Sequence, residues 1–252
     1  CKRREQNLRE VEAIMLQPLP EIAESINDSV NYEHSIWPGD TDDLMLIVDA
    51  ISRGDLKWVL VACAKAISEN NLLLAQWCIG ELRRMVSISG EPIQRLGAYM
   101  LEGLVARLAA TGSSIYKSLQ SREPESYDFL SYVYLLHETL SYYTAMFESI
   151  DVILPRNHKE RINVEQHCLA SDVVNIIACE GAERIERHEL LGKWKSRFSM
   201  AGFVPYPLSS VVSATIRALL KDYNNGYGIE ERDGALCLGW MDRILVSSCA
   251  WK

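Results

Sequence analysis

Three histidines and one cysteine, His158, His167, Cys168 and His188, are of zinc-ligating types and lie in one stretch of the chain. Tetrahedral zinc needs its ligands to converge on one point. Neighbouring residues on a helix point about 100° apart, so adjacent His167 and Cys168 are poorly placed to share an ion. Satisfied or surface histidines are the simpler reading. The hydroxyl pair Ser113-Ser114 after Gly112 lacks the G-x-S-x-G elbow of a serine nucleophile and reads as a helix N-cap. None of the seven cysteines (Cys1, Cys63, Cys78, Cys168, Cys179, Cys237, Cys249) stands beside a basic cluster and a histidine that would activate it. Phosphate loops are missing as well: neither G-x-x-x-x-G-K-[ST] nor G-x-G-x-x-G occurs, and Gly226-Tyr227-Gly228 precedes a hairpin signal, not a helix. The residues therefore assign no catalytic, cofactor or metal site.

Two charged stretches remain. Glu180 to Glu189 alternates Glu183, Arg184, Glu186, Arg187 and Glu189, which reads as a solvated helix face with pairs worth about 0.2–0.5 kcal/mol each. Arg156 to Arg161 lacks interleaved aromatics and makes a poor nucleic-acid patch. The formal net charge of −8 disfavours unaided binding to a phosphate backbone, though not a route to DNA through a partner. Hydrophobic residues at 48% and charged residues at 24% fit an ordinary soluble domain. Scattered cysteines, odd in number and never spaced C-x-x-C, imply free thiols in a reducing compartment, cytosol or nucleus. No apolar run approaches the roughly 18 residues of a membrane span. Cys1 to Glu5 shows neither an initiator Met nor a secretory h-region, so the chain is expected to begin partway through a longer protein.

The elements that must carry these residues are mostly helical. Residues 1–42 read as a linker, with Leu8, Val11 and Met15 on a short helix at most and Pro18, Pro20 and Pro38 as breaks. Asp55 is placed to cap a helix whose face holds Leu56, Val59, Leu60, Cys63 and Ile67. Two more stripes come next: Leu72, Ala75, Ile79, Leu82 and Val86, then Ile93, Leu96, Met100, Leu104 and Leu108 after Pro92. A fourth helix is expected from Pro124 to Glu138 with Tyr127, Leu130 and Tyr134 inward, completing an antiparallel bundle. Leu140, Tyr143, Phe147 and Ile150 form a separate stripe, and Val152 to Pro155 looks extended. Helices are expected over Asn163–Cys179, around Trp194 and Phe198 up to Gly202, and over Ser209–Asp222 from a serine cap. Tyr227–Arg232 and Ala235–Trp240 flank Asp233-Gly234, the signal of a type I′ hairpin, and Ile244–Trp251 adds a third strand.

Several segments resemble the GRAS family of plant regulators, nearest to its SCARECROW-like, phytochrome-A and chitin-inducible gibberellin-responsive branch. Asp55-Leu56-Lys57 with Cys63-Ala64-Lys65-Ala66, then Ser89 to Tyr99, then Gly112 to Lys117 resemble its first leucine-rich region. Tyr142 to Ser149, Arg161 and Glu165-Gln166-His167 resemble the PFYRE region, and Arg184 to Arg187 its R-V-E-R element with Ile185. Trp194 and Gly202 satisfy W-x7-G, Leu238-Gly239-Trp240 satisfies L-x-W, and Cys249-Ala250-Trp251 stands where the SAW motif is written S-A-W. Ser171 replaces an arginine common in the family, and after His137-Glu138 the chain passes to Thr139-Leu140-Ser141-Tyr142 where the VHIID block and second leucine-rich region belong.

The resemblance implies an α/β fold by family, a Rossmann-like core with a helical cap, reduced here to a mostly α-helical chain with a small remnant C-terminal antiparallel sheet. It divides the chain into a linker (1–42), a helical cap or first leucine-rich region (43–138), and PFYRE and SAW regions (139–252). It implies a transcriptional regulator of the nucleus, with the cytoplasm also open, in light, gibberellin or defence signalling, and not an enzyme. Its partners would be other transcription factors and GRAS proteins, with homo- or hetero-oligomers open, DNA reached only indirectly, no membrane and no cofactor. Arg161, Glu165, Arg184, Arg187, Trp194, Gly202, Leu238, Trp240 and Trp251 would serve structure or partner contact, the three tryptophans mainly in core packing. Two other readings stay open, a non-functional or competing deletion product and a methyltransferase-like enzyme. The missing block should leave the hairpin with an unpaired edge and residues 142–252 loosely packed.

Overall fold

The computed structural model describes residues 40–111 and 126–252. The expectations for the linker, for Gly112 to Lys117, for a helix start at Pro124 and for the side chains of Tyr127 and Leu130 fall outside the described residues. The chain divides after Asp49 into two compact units, and the division lies within helix α1 (Asp40–Arg53). All later helices and strands belong to the second unit, Ala50–Lys252.

The leucine-rich stripes form α2 (Leu56–Ser68), α3 (Leu72–Met85) and α4 (Pro92–Thr111). Asp55 caps α2 by accepting from the Trp58 N–H at 3.1 Å, and Asn71 caps α3 from Leu74 at 3.2 Å, each satisfying an N-terminal donor that the helix leaves free. Helix α2 buries Leu56, Val59, Leu60, Cys63 and Ile67 together with Ala62, Ala64 and Ala66. Burial around most of its circumference follows because it packs on α3, on α4 and on α5 (Ser126–Asp151), and its alanines let them approach. Ala75, Ile79 and Leu82 of α3 and Leu96, Met100 and Leu104 of α4 complete this core, whereas Leu72 is exposed.

Helix α5 corrects the expectation of two separate stripes. It runs unbroken for 26 residues, so His137 to Ser141 lie in its middle. Leu136, Leu140, Tyr143 and Phe147 are buried one turn apart, and the buried Thr139 and Thr144 hydroxyls donate to the Leu135 and Leu140 carbonyls. Tyr134, expected inward, is 55% exposed because it stands off that face. Val152 and Ile153 continue the helix end as a turn, with Ile153 and Leu154 donating to the Ile150 carbonyl, and are not extended.

Next come α6 (Lys159–Val164), a π-helical turn (Glu165–Leu169) and α7 (Ala170–Ala178), so the helix expected from Asn163 begins four residues earlier. Helix α7 runs alongside α4 in the same direction, and they meet closely at Gly103, where a Cβ would come within 2.9 Å of Ile177. Val173, Ile176 and Ile177 are buried there. Loose packing from Tyr142 onward is thereby overturned for residues 142–178, whose apolar groups find cover on the bundle.

The C-terminal part comprises α8 (Leu191–Met200), β1 (Pro205–Tyr206), α9 (Ser210–Leu220), β2 (Tyr227–Arg232), β3 (Ala235–Trp240), β4 (Arg243–Ser248) and β5 (Ala250–Trp251). Strands β2-β3-β4 form one antiparallel sheet, and Asp233 (φ 51) with Gly234 (φ 69) makes the hairpin turn as expected. The third strand differs: it breaks at Cys249, and β5 leaves to pair with β1, Pro205 facing Trp251. Ser209 precedes α9 but makes no side-chain cap bond. Every strand pair among the described residues is antiparallel, in a chain that is mostly helical with a small C-terminal sheet.

Candidate functional site

Arg161 and Glu165 sit four residues apart where α6 passes into the π-turn, which carries both inward. Arg161 Nη1 donates to both Glu165 oxygens at 2.8 and 2.7 Å, and its Nε donates to the Pro155 carbonyl. The same carboxylate accepts from Arg95 Nε at 3.1 Å and Nη2 at 3.0 Å, and Arg95 Nη1 donates to the Gly90 carbonyl. Asp151 stands 2.9 Å from Arg95 Nη2 as an ion pair, without the directionality of a hydrogen bond. Arg95, Arg161 and Glu165 are all almost wholly buried. A carboxylate gripped by two guanidinium groups ties α4 to α6 and to the π-turn. Sequence reasoning missed Arg95; the signal was a lone arginine beside Leu96 on the apolar side of α4.

Arg184 and Arg187 lie on an extended strap. Residues 181–183 form a single 3₁₀ turn and the following seven are irregular, which overturns the solvated-helix reading of Glu180 to Glu189. Asn175 of α7 holds this strap: its Oδ1 accepts from the Ile185 and Glu186 N–H groups at 3.0 Å each, and its Nδ2 donates to the Glu183 carbonyl. Arg184 Nε donates to the Cys179 carbonyl at 2.9 Å and Arg187 Nε to the Arg184 carbonyl at 2.9 Å, satisfying acceptors past the end of α7. Asn175 is the second residue that sequence reasoning missed, and its position on an amphipathic helix gave no signal.

At the strap's end His188 lies 3.4 Å from the Tyr143 hydroxyl, with the Tyr142 ring edge-on at 4.4 Å. Burial holds the imidazole below its usual range, opposed by the nearby Asp172, Glu138 and Glu186 carboxylates. Burial raises the Asp172 carboxyl, with Glu186 adding to it. Burial also pushes the Tyr143 phenol well up, so it stays protonated. A neutral imidazole and phenol held this way make a packing contact, not an activated nucleophile. His167 and Cys168 are exposed on the π-turn, and among the described residues no three His, Cys, Asp or Glu side chains gather in a metal-ligand set. Cys63 and Cys78 are buried, the latter thiol pushed up to about 12 by desolvation, so both are inert.

The tryptophans divide. Trp240 is buried against the Tyr227 ring at 4.9 Å and under Gly226, where a Cβ would come within 2.6 Å of its ring. Leu238 is half-buried beside it, in register with Ile229. Gly202, at φ +91, ends α8 and turns the chain so that Phe203 meets Phe198, which also stacks on Trp251 at 5.3 Å. Trp251 Nε1 donates to Cys249 Sγ at 3.1 Å, fixing the half-buried ring. Trp194 is 46% exposed with Arg197 over its face, which corrects its assignment to the core: α8 buries none of its residues. Phe203, which meets Phe198 next to Trp194, is exposed too, as are Val204 and Tyr206 further along the chain.

The molecule so described is a helical framework in which Arg161 and Glu165 are spent on one another and on Arg95, and Arg184 and Arg187 on backbone carbonyls, with aromatic side chains left exposed on and after α8. It matches the GRAS domain family over residues 56–139 and 126–252. Scarecrow-like protein 21 of Arabidopsis thaliana is 51% identical over 407 aligned positions, covering 95% of this chain and 98% of the relative. Scarecrow-like transcription factor PAT1 of Arabidopsis thaliana is 35% identical, covering 97% and 85%. Chitin-inducible gibberellin-responsive protein 2 of Oryza sativa subsp. japonica is 33% identical, covering 98% and 76%. The chain belongs to the GRAS domain family and is of the Scarecrow-like kind. An alignment of 407 positions against 252 residues leaves a large part of the relative without a counterpart here. The solved structure of SCL7 in Oryza sativa is similar with a TM-score of 0.46 and 32% identity, covering 48% of this chain and 34% of that one.

Proposed function

We propose that this chain is a nuclear transcriptional regulator that works through protein contacts and not by catalysis, reaching DNA only through DNA-bound factors. The observation that carries the reading is the exposed aromatic cluster of Trp194 and Phe203, joined through Phe198, on a framework whose Arg95, Arg161 and Glu165 are paired with one another. Exposed contiguous apolar surface rimmed by polar groups marks a contact site. Names of relatives support the role, one a transcription factor and one gibberellin-responsive. The light, gibberellin or defence pathway follows from that likeness.

In this reading Arg161, Glu165, Arg184, Arg187, Gly202, Leu238, Trp240 and Trp251 hold the framework, and Trp194 meets a partner, either another transcription factor or a GRAS protein. Residues 43–138 act as the helical cap and 139–252 as the PFYRE and SAW regions, with the Rossmann-like core of the family supplied by positions absent here. A second reading rests on the same gap in the alignment: a product that keeps partner-binding motifs without the block between them competes with full-length relatives. Co-purification of Trp194→Ala and unaltered protein with nuclear factors from plant extract tests the first reading; unchanged recovery of the same partners would refute it. Added to a full-length relative, the chain should then reduce that relative's partner binding if it competes.

A further inference from the structure

Arginines from two sides of the molecule converge where α4 and α7 end together. The Arg107 guanidinium of α4 lies 3.8 Å over the Tyr132 ring, and its Nη2 reaches the Glu180 carboxylate just past α7. Its Nε and Nη1 are buried and find no acceptor among the described residues. Arg184 uses Nε on the Cys179 carbonyl, Arg187 uses Nε and Nη2 on backbone carbonyls, and both charges stand close enough to Arg107 or to each other to raise the cost of the charged Arg184. Burial is the larger reason that Arg184 is held below its usual range. The Arg107 and Arg187 guanidinium groups thus stand against Arg184, with the Glu180 carboxylate opposing them. Buried donors left unpaired cost free energy, and like charges brought together out of water add to it. Buried groups that keep such a cost call for an explanation, and a bound anion is one.

We infer that Arg107, Arg184 and Arg187 form a binding site for a phosphate monoester dianion, which Glu180 occupies in the unliganded protein. The Glu180 carboxylate on Arg107 Nη2 marks where such an anion would sit. Its tetrahedral oxygens accept from forked guanidinium donors, which planar aromatic stacking of Arg107 on Tyr132 pre-orients. Glu180 is 59% exposed and Arg107 is its partner, so its carboxylate can swing out and leave the mouth of the site open. This site is separate from the aromatic face and does not depend on the regulatory reading.

Thermal unfolding of the full chain tests it, with inorganic phosphate and chloride compared at equal ionic strength and a phosphoserine peptide compared with its unphosphorylated form. Inorganic phosphate should raise the midpoint saturably above chloride, and Glu180→Gln should lower the half-saturating concentration at least about tenfold by removing the competing charge. Arg184→Gln, at a half-buried position that leaves Arg107 and its ring contact in place, should abolish the response while the protein still unfolds cooperatively. Phosphopeptide binding alongside phosphate assigns the monoester to a modified protein, and phosphate alone assigns it to a free ligand. Equal midpoints in phosphate and chloride for Glu180→Gln, or an undiminished phosphate response in Arg184→Gln, would overturn the proposal.

Discussion

Helices α2 to α5 with α7 bury their apolar stripes against several neighbours, while the chain from Leu190 onward keeps large apolar side chains in solvent. Leu60, Leu82, Leu104 and Phe147 are wholly buried; Trp194, Tyr206, Val211 and Leu219 are each about half exposed or more. For α9 the cause is not hydrophobic content, because it is at least as apolar a helix as α3. The two helices differ in what surrounds them. The bundle helices have partners on two or three sides, whereas α9 packs mainly on β2. Burial therefore depends on neighbours as well as on stripes, and the relatives' additional positions are where further neighbours would come from.

The widest contrast should appear in amide exchange. Mass spectrometry should find α2 to α5 and α7 protected by orders of magnitude more than α8 and α9, since exchange follows local contact and burial. Equal protection in both would erase the comparison. The next largest effect belongs to Glu165→Ala, which leaves Arg95 and Arg161 buried without their carboxylate and should cost about 3–5 kcal/mol in denaturant unfolding. A loss of less than about 1 kcal/mol would show that water replaces the anion there.

Leu104→Ala should cost about 2–5 kcal/mol as a wholly buried side chain, and Leu219→Ala less than about 0.5 kcal/mol. Comparable losses would mean that α9 has a covered face after all. The helix caps sharpen the same line on a smaller scale. Asn71→Ala removes a hydrogen bond to Leu74 and should cost about 0.5–2 kcal/mol, whereas Ser209→Ala, with no cap bond to lose, should leave stability unchanged.

The smallest effect concerns pH at the seam between the regions, where His188 of the strap meets Tyr142 and Tyr143 of α5. His188 titrates below its ordinary 6.5 in the folded chain. Below about pH 6.5 the unfolded chain then binds more protons, so stability falls with pH until the folded imidazole is itself protonated. Asp172 has the opposite sign: its raised carboxyl takes up protons earlier when folded, which restores some stability at lower pH. Unfolding midpoints between about pH 7.5 and 5.5 should decline less in His188→Gln than in the unaltered chain. An identical decline would place the titration elsewhere.

By itself the sequence determined the local elements that need no distant partner. The Asp55 cap, the stripes of α2 to α4 and the Asp233-Gly234 hairpin with its register are set by side-chain periodicity and backbone sterics within a few residues. Tertiary structure decided what depends on residues far apart in the chain. Arg95 meets Glu165 across 70 positions, and Asn175 straightens a charged run that local pairing would have made helical. The chain stays helical across His137 to Ser141 in α5 because Leu136, Leu140, Tyr143 and Phe147 all find cover on the bundle. Trp194 and Trp240 carry the same side chain, yet Trp240 is buried by Tyr227 and Gly226 and Trp194 stays half in solvent, because burial is conferred by the neighbours that the fold brings and not by the residue itself.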